Sequence, residues 1–291
     1  MEHKYSTPLV VKYGGSALGT AGHPEAERAS KGGGQDPVLA SAVALHRRGS
    51  PVVLVHGGGP EIDRWLAERN VPTRRVDGLR VTDDATLEVT EAVLCATVNK
   101  RIVRTCAALG AKAVGISGED AGTLVAKRAL GSKGEDLGYV GEVTSCDPVL
   151  IDLLLDAGYL PVVAPLAVAE DKAHAYNVNA DLAAAALAGA LRAHAFVMIT
   201  DVERVRRDPS DPASGIDRMS LAQARAFMQT PACEGGMKPK MHAAIAAVDA
   251  GAATAYICAQ QPIADILAGN ATIIANEAPQ SAETESNRAV L

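Results

Sequence analysis

Lys12 closes an otherwise apolar run, Pro8 to Lys12, and is followed by Gly14-Gly15. Burying an ammonium group in such a run is costly unless an anion meets it, so Lys12 reads as a functional cation. Lys238 and Lys240 open a predicted helix after Gly235-Gly236. Two positive charges there oppose the helix dipole, a placement that makes sense if one of them faces a phosphate. Residues two apart do not share a helix face, so one of the pair is expected to reach the site. Glycine turns at Gly14-Gly15, Gly57-Gly58-Gly59 and Ser117-Gly118 each follow a predicted strand. Glycine lets backbone N–H groups approach an anion closely, and a helix N-terminus adds partial positive charge. Each turn alone is equally well read as a plain tight turn. Together they point to phosphate or carboxylate binding outside the carboxyl ends of the strands.

The familiar phosphate-binding signatures are missing. There is no GxxxxGK[ST], no GxGxxG, and no HRD or DFG pair, which sets aside P-loop, dinucleotide-fold and protein-kinase scaffolds. Phosphoryl transfer on another scaffold still needs cations over the moving group, donors on its oxygens and in-line positioning. A carboxylate acceptor is already nucleophilic, so positioning and charge neutralisation suffice without a general base. His56, after the second strand, therefore reads as a structural hydrogen-bonding residue. Asp83 reads as a helix cap, and Asn179 is open between capping and touching ligand. Glu119-Asp120 reads as a solvated turn, and the Ala-rich stretch 180–190 as packing.

The elements that would position these residues alternate. Strands are expected at Pro8–Lys12, Pro51–Val55, Ala113–Ile116, Leu160–Ala164, Ala195–Thr200, Ala253–Ile257 and Ala271–Ala275. Helices are expected at 38–48, Pro60–Arg69, Asp84–Leu109, Pro148–Asp156, Asn177–Leu191, Leu221–Met228, Lys238–Ala250 and Ile263–Leu267, with a hairpin region at Leu124–Lys127 and Gly138–Thr144. Short apolar strands alternating with helices predict an α/β protein with a mostly parallel sheet. Residues 16–37, rich in Gly, Ala and Ser, read as a long loop, and the polar stretch from Glu277 as a disordered tail. A soft boundary falls at 168–175.

Composition narrows the classes. The 291 residues allow one large or two modest domains. Aromatics make up only 3%, so stacking platforms for single-stranded nucleic acid are not expected. A net charge of −6 gives no general attraction to nucleic acid or to an anionic membrane. The five cysteines, an odd number, include no CxxC pair. They read as free thiols in a reducing compartment rather than as disulfides or a zinc site. With no signal-like N-terminus and no apolar run of transmembrane length, the expected location is the cytoplasm.

VVKYGGSA at 10–17, LVHGGGPEID at 54–63, DGLRVTD at 77–83, VNK at 98–100, YNVNADLAA at 176–184 and GGMKPK at 235–240 occur in that order. In this the chain resembles the amino acid kinase family, and within it the acetylglutamate kinases, over about residues 8–275. The resemblance implies a three-layer α/β/α sandwich. An acyl-substrate lobe with the dimer interface would span 1–170, and an ATP-binding lobe 171–291. It implies that Lys12 and Lys240 flank the transferring phosphoryl group and that Asp181 orients both. Gly15, Gly58 and Gly59 would supply backbone donors, and Arg80 and Asn177 would hold the substrate's α-carboxylate. The nucleotide would meet Lys12, Asp201, Val202, Gly236, Met237 and Lys240. ATP would arrive with Mg2+ riding on its phosphates, so no metal cage of the protein's own is expected. The implied reaction phosphorylates the γ-carboxylate of N-acetyl-L-glutamate in arginine biosynthesis.

Some features depart from that pattern. Arg204 stands where the nucleotide loop usually has glycine, and is expected to crowd the nucleotide or touch its phosphates. The loop after Gly15 is about ten residues longer than in compact relatives. The segment Ile257–Asn276 lacks an IDGR-type stretch, and the chain before Lys12 is short. A homodimer without arginine feedback is therefore expected. Two alternatives accompany the leading one: a sister kinase of carrier-linked aminoadipate or another acyl amino acid, and a non-catalytic metabolite-binding member of the same fold.

Overall fold

The computed structural model describes residues 6–14 and 36–276. Gly15, the rest of the loop expected to run to residue 37, and the tail from 277 lie outside the described residues, apart from Asp36 and Pro37.

The main sheet takes its strands from along the whole chain. They are β1 (Leu9–Tyr13), β2 (Val52–His56), β5 (Ala113–Ser117), β8 (Leu160–Ala164), β11 (Ala195–Thr200), β12 (Arg218–Ser220), β13 (Thr254–Ala259) and β14 (Thr272–Ala275). Their order is β12-β14-β13-β11-β1-β2-β8-β5. The strands from β13 through β11, β1, β2 and β8 to β5 are all parallel; β14 runs antiparallel to β13, and β12 follows β14. The start of β12 therefore lies at the sheet edge where β1, β2 and β11 end. The short strands β3 (Arg75–Val76) and β4 (Leu79–Arg80) form a hairpin. β6 (Leu124–Leu130), β7 (Asp136–Cys146), β9 (Leu166–Ala169) and β10 (Ala175–Val178) close into a small barrel.

Helices cover both faces: α1 (Pro37–Arg47), α2 (Gly59–Glu68), α3 (Asp84–Glu91), α4 (Asn99–Ala108), α5 (Val149–Asp156), α6 (Ala180–Ala190), α7 (Leu221–Phe227), α8 (Met237–Asp249) and α9 (Ile263–Leu267). The helix expected at 84–109 is present, with a π-helical segment at Ala92–Val98 joining α3 to α4. The helix expected from Asn177 begins instead at Ala180. Asn179 takes a non-helical backbone and accepts the first-turn N–H groups, so residues 175–178 are free to pair as a strand. The interrupted stretch at 168–175 falls at the turn between β9 and β10, which pair antiparallel.

Strand alternation sorts the core into two layers. Val10 packs on one face with Val53, Phe196 and the Ala-rich helices α6 and α8. Leu9, Val11 and Tyr13 pack on the other with α1 and the π segment. The period of two puts Lys12 on Val10's face, toward α6, and Tyr13 on the opposite face. There the Tyr13 hydroxyl donates to Asp36 Oδ2 at 2.7 Å, while Asp36 Oδ1 caps α1. Helices α6 and α8 approach so closely that a Cβ on Gly189 would lie 2.3 Å from the Ala250 Cβ.

Candidate active site

The site lies at the edge where β1, β2 and β11 end. Lys12 points toward the first turn of α6 and meets Asp181 Oδ1 as an ion pair at 2.8 Å. Both side chains are largely covered, at 13% and 15% exposure, so each needs the other. The lysine lies back over Gly14: a Cβ there would sit 3.0 Å from Nζ and 3.5 Å from the Gly57 amide nitrogen. A side chain at position 14 would push the ammonium away from the next glycine turn. Lys240, in the first turn of α8, donates to Asp201 Oδ1 at 2.9 Å just beyond β11. Lys238 is exposed. Each lysine thus has its own carboxylate, where the resemblance implied one for both. The hydrogen bond from Lys240 holds the Asp201 carboxyl below its ordinary range, and the charge of Lys12 adds to it. Two lysines and two carboxylates leave a neutral cluster. It gains cationic character toward an arriving phosphate if the carboxylates stay on the far side of the ammonium groups.

Between the lysines and α2 runs Gly57-Gly58-Gly59. Gly58 precedes α2, whose first residue is Gly59 and second is Pro60. The first turn therefore presents free N–H groups with the positive end of the helix dipole behind them. A Cβ on Gly58 would come within 2.6 Å of Leu94 Cδ2 in the π segment, so this turn depends on glycine for space.

Arg80 is buried, with 6% exposure. Its Nη2 donates to the Gly59 carbonyl at 3.2 Å and its Nη1 pairs with Asp63 on α2. Asn177 Nδ2 donates to Thr82 Oγ1 at 3.2 Å, and that hydroxyl donates to the Arg80 carbonyl at 2.9 Å. Thr82 is fully buried and ties the two residues into one unit. Neither Thr82 nor Asp63 is singled out by residue type alone, although both lie inside the segments quoted above.

Other candidates fall into place as structure. His56 is fully buried. Its Nδ1 faces the Gly57 carbonyl at 2.9 Å and its Nε2 faces Asn99 Nδ2 at 3.2 Å. Burial pushes its pKa down to about 4, so it is a neutral brace under the glycine turn. Asn179 caps α6 through Asp181 N and Leu182 N. Asp83 caps α3 through Thr86 N at 2.8 Å. Glu119 is half-buried and Asp120 accepts from Ser117 N at 2.6 Å. Arg204 Nε pairs with Asp217 at 3.0 Å and its Nη2 donates to the Gly269 carbonyl at 3.2 Å.

A cavity of about 730 Å³ opens farther along the same edge, lined among others by Arg207, Ile216, Arg218, Met219, Phe227 and Ala232. It lies away from the lysines, and none of Asp201, Val202, Gly236 or Met237 is in its wall. Val202 and Met237 pack, partly buried, against the core beneath the α6–α8 face.

A parallel sheet with glycine turns and paired lysines along its carboxyl edge, and no P-loop, defines a non-P-loop phosphate-handling protein. The chain belongs to the amino acid kinase family, which it matches over residues 7–259. It is 43% identical over 249 residues to an acetylglutamate kinase of Caldanaerobacter subterraneus, spanning 86% of this chain and 79% of that one. An acetylglutamate kinase of Symbiobacterium thermophilum is 39% identical over 254 residues, spanning 86% and 83%. Among solved structures, smu.665 of Streptococcus mutans UA159 superposes with a TM-score of 0.74 at 24% identity, covering 93% of this chain and 99% of that one. A Giardia carbamate kinase gives 0.68 at 16% identity, covering 93% and 99%. These two bear on the fold alone.

Proposed function

We propose that the chain transfers the γ-phosphoryl group of ATP to the γ-carboxylate of N-acetyl-L-glutamate, giving N-acetyl-glutamyl 5-phosphate in arginine biosynthesis. The observation that carries this is the pairing of Lys12 and Lys240 with Asp181 and Asp201 beside the glycine turn, next to the Arg80–Asn177 unit. The first group suits a transferring phosphoryl group and the second a substrate carboxylate. The relatives of known name support the same reading.

In this reading the attacking carboxylate oxygen forms a bond to the γ-phosphorus as the bond to the β,γ-bridging oxygen breaks. The electron pair leaves with ADP. No proton moves, which suits a site whose His56 is buried, neutral and hydrogen-bonded at both nitrogens. Lys12 and Lys240 offset the charge spreading over the equatorial and leaving oxygens, and the Gly57–Gly59 turn and Gly15 donate to the phosphoryl group and γ-carboxylate. Asp181 and Asp201 fix where the two ammonium groups sit. ATP brings Mg2+ on its phosphates.

We assign the acyl substrate to the lobe of residues 1–170 and the nucleotide to 171–291, with Asn177 at the seam. The nucleotide's phosphates would lie at Lys12, Lys240, Asp201 and Gly236. Val202 and Met237 would line its path, and its base would reach the cavity at Phe227. A homodimer in the cytoplasm completes the proposal. The homodimer is supported by edge strand β5, four of whose five residues are only partly buried; among the described residues no helix is long and apolar enough to cross a membrane.

The test is a hydroxylamine trap with ATP, Mg2+ and N-acetyl-L-glutamate, which converts an acyl phosphate to a hydroxamate. Absence of hydroxamate with every acyl acidic amino acid tried would overturn the kinase assignment. Turnover confined to another acyl amino acid would replace the substrate.

A further inference from the structure

Arg80 and Arg75 face each other across the β3–β4 hairpin, and both reach one carboxylate, Asp63 on α2. Arg75 Nη2 donates to Asp63 Oδ2 at 2.9 Å and Oδ1 at 3.3 Å, and its Nη1 donates to the Gly78 carbonyl at 3.3 Å. The Arg80 side chain is 5% exposed, while Asp63 and Arg75 are 46% and 47% exposed. Burial pushes the Asp63 carboxyl up, but the hydrogen bond and charge of Arg80, with the charge of Arg75, outweigh it and hold the group ionised. The triad therefore carries a net charge of +1. Without Arg75 it would be a neutral pair.

Resting on the function proposed above, we propose that Asp63 is the positioning residue that aims Arg80 at the substrate's α-carboxylate, and that Arg75 supplies the net positive charge drawing that carboxylate in. A guanidinium has five N–H donors. Among the described residues Arg80 spends one on Asp63 and one on the Gly59 carbonyl, and those two bonds fix the plane of the fork. The remaining donors can take a carboxylate side-on. A buried arginine with no such anchor would have to order its side chain during binding, at the cost of lost rotamer freedom. An Asp63–Arg80 pair with no second cation would meet an anionic ligand with no net attraction. Arg75 is half-exposed, so its contribution is a screened, salt-sensitive one.

The experiment measures binding by calorimetry for two ligands: N-acetyl-L-glutamate, and N-acetyl-4-aminobutyrate, which lacks only the α-carboxylate. Arg75→Gln is expected to weaken N-acetyl-L-glutamate binding about threefold at low salt and less at 0.5 M salt, a size typical of partly exposed charge pairs. Its effect on the aminobutyrate analogue should be nil. Asp63→Ala is expected to weaken N-acetyl-L-glutamate binding roughly tenfold, as for a lost charge-assisted hydrogen bond. Asp63→Asn, which keeps an acceptor for Arg80, should restore most of it. Equal losses for both ligands, no loss with Asp63→Ala, no rescue by Asn, or no binding of N-acetyl-L-glutamate by the wild-type chain would each overturn the proposal. Turnover is measured separately. The predicted binding pattern without hydroxamate would refute the kinase reaction and leave the role of Asp63 and Arg75 standing.

Discussion

Lys12 and Lys240 are both cations held by carboxylates, but they are held differently. Lys12 is enclosed by β1, Gly14 and the first turn of α6, whereas Lys240 reaches from α8 to an Asp201 that is 72% exposed. Lys240 has the freer partner and the more open approach. In the proposed reaction its charge counts most as the leaving oxygen develops charge. Lys240→Ala is therefore expected to lower kcat by about two to three orders of magnitude, the scale of a lost electrostatic stabiliser, with at most a few-fold change in acyl-substrate KM. Steady-state kinetics with both substrates varied checks this, and equal losses in kcat and affinity would contradict a role at the transition state. His56 makes a separate prediction. Its folded pKa, about 4, lies below the ordinary value of 6.5, so between these values the unfolded chain binds the extra proton. The stability it contributes is complete above pH 6.5 and declines as pH falls toward 4, by about 3 kcal/mol if the full difference is realised. Thermal melts from pH 7 to 4 should show a steeper loss for the wild-type chain than for His56→Gln.

At the scale of elements, the cap of α6 joins stability to chemistry. Asn179 ends strand β10, starts the helix and bonds the backbone nitrogen of Asp181, the residue that holds Lys12. Asn179→Ala is expected to cost about 1 kcal/mol of stability. It should also lower kcat more than Asn179→Asp, which keeps the capping oxygen. Melting temperature and kcat measured on both variants decide it; an alanine variant with lowered stability and unchanged kcat would show the cap to be structural only. The same element shows how sequence reading works and where it stops. The strands β1, β2, β8 and β11 and the helices around them are visible as apolar runs and periodic patterns, because their burial demands them. The hairpin β3–β4 and strands β9 and β10 are not. They are short: β3 and β4 have two residues each and pair with each other. Strand β10 mixes polarity, and β9, though apolar, follows β8 across Pro165 with no polar break. Both are held by pairing with β6 and β7.

At the scale of the whole molecule, strand β4, the segment that follows it and strand β10 of the small barrel carry Arg80, Thr82 and Asn177, and the sheet's far end carries the cavity. The two proposed ligand sites are thus built on different parts of one sheet edge. Phe227→Ala is expected to raise the KM for ATP several-fold and leave that for the acyl substrate unchanged, consistent with the ~1–3 kcal/mol of a base stacked on an aromatic ring. Asn177→Ala should do the reverse. Initial-rate measurements on the two variants test whether the lobes divide the work, and a crossed or equal effect would reassign the cavity.

Residue type and order were enough to single out Lys12, the Lys238–Lys240 pair, the glycine turns and a mostly parallel α/β sheet, while Lys240 over Lys238, and Asp181, came only with the resemblance to the amino acid kinase family. A lysine in an apolar strand and glycines after strands are local violations of what burial and propensity favour, and such violations show in one dimension. The tertiary structure alone decided which carboxylate meets which lysine, that Arg204 turns toward Asp217 and Gly269, and that Asp63 holds two arginines. Those are contacts between segments far apart in the chain, set by strand order and helix packing rather than by neighbouring residues. Lys12 could be recognised from its neighbours, but its pairing with Asp181 depended on α6 packing on β1, and Lys240's with Asp201 on α8 packing on β11.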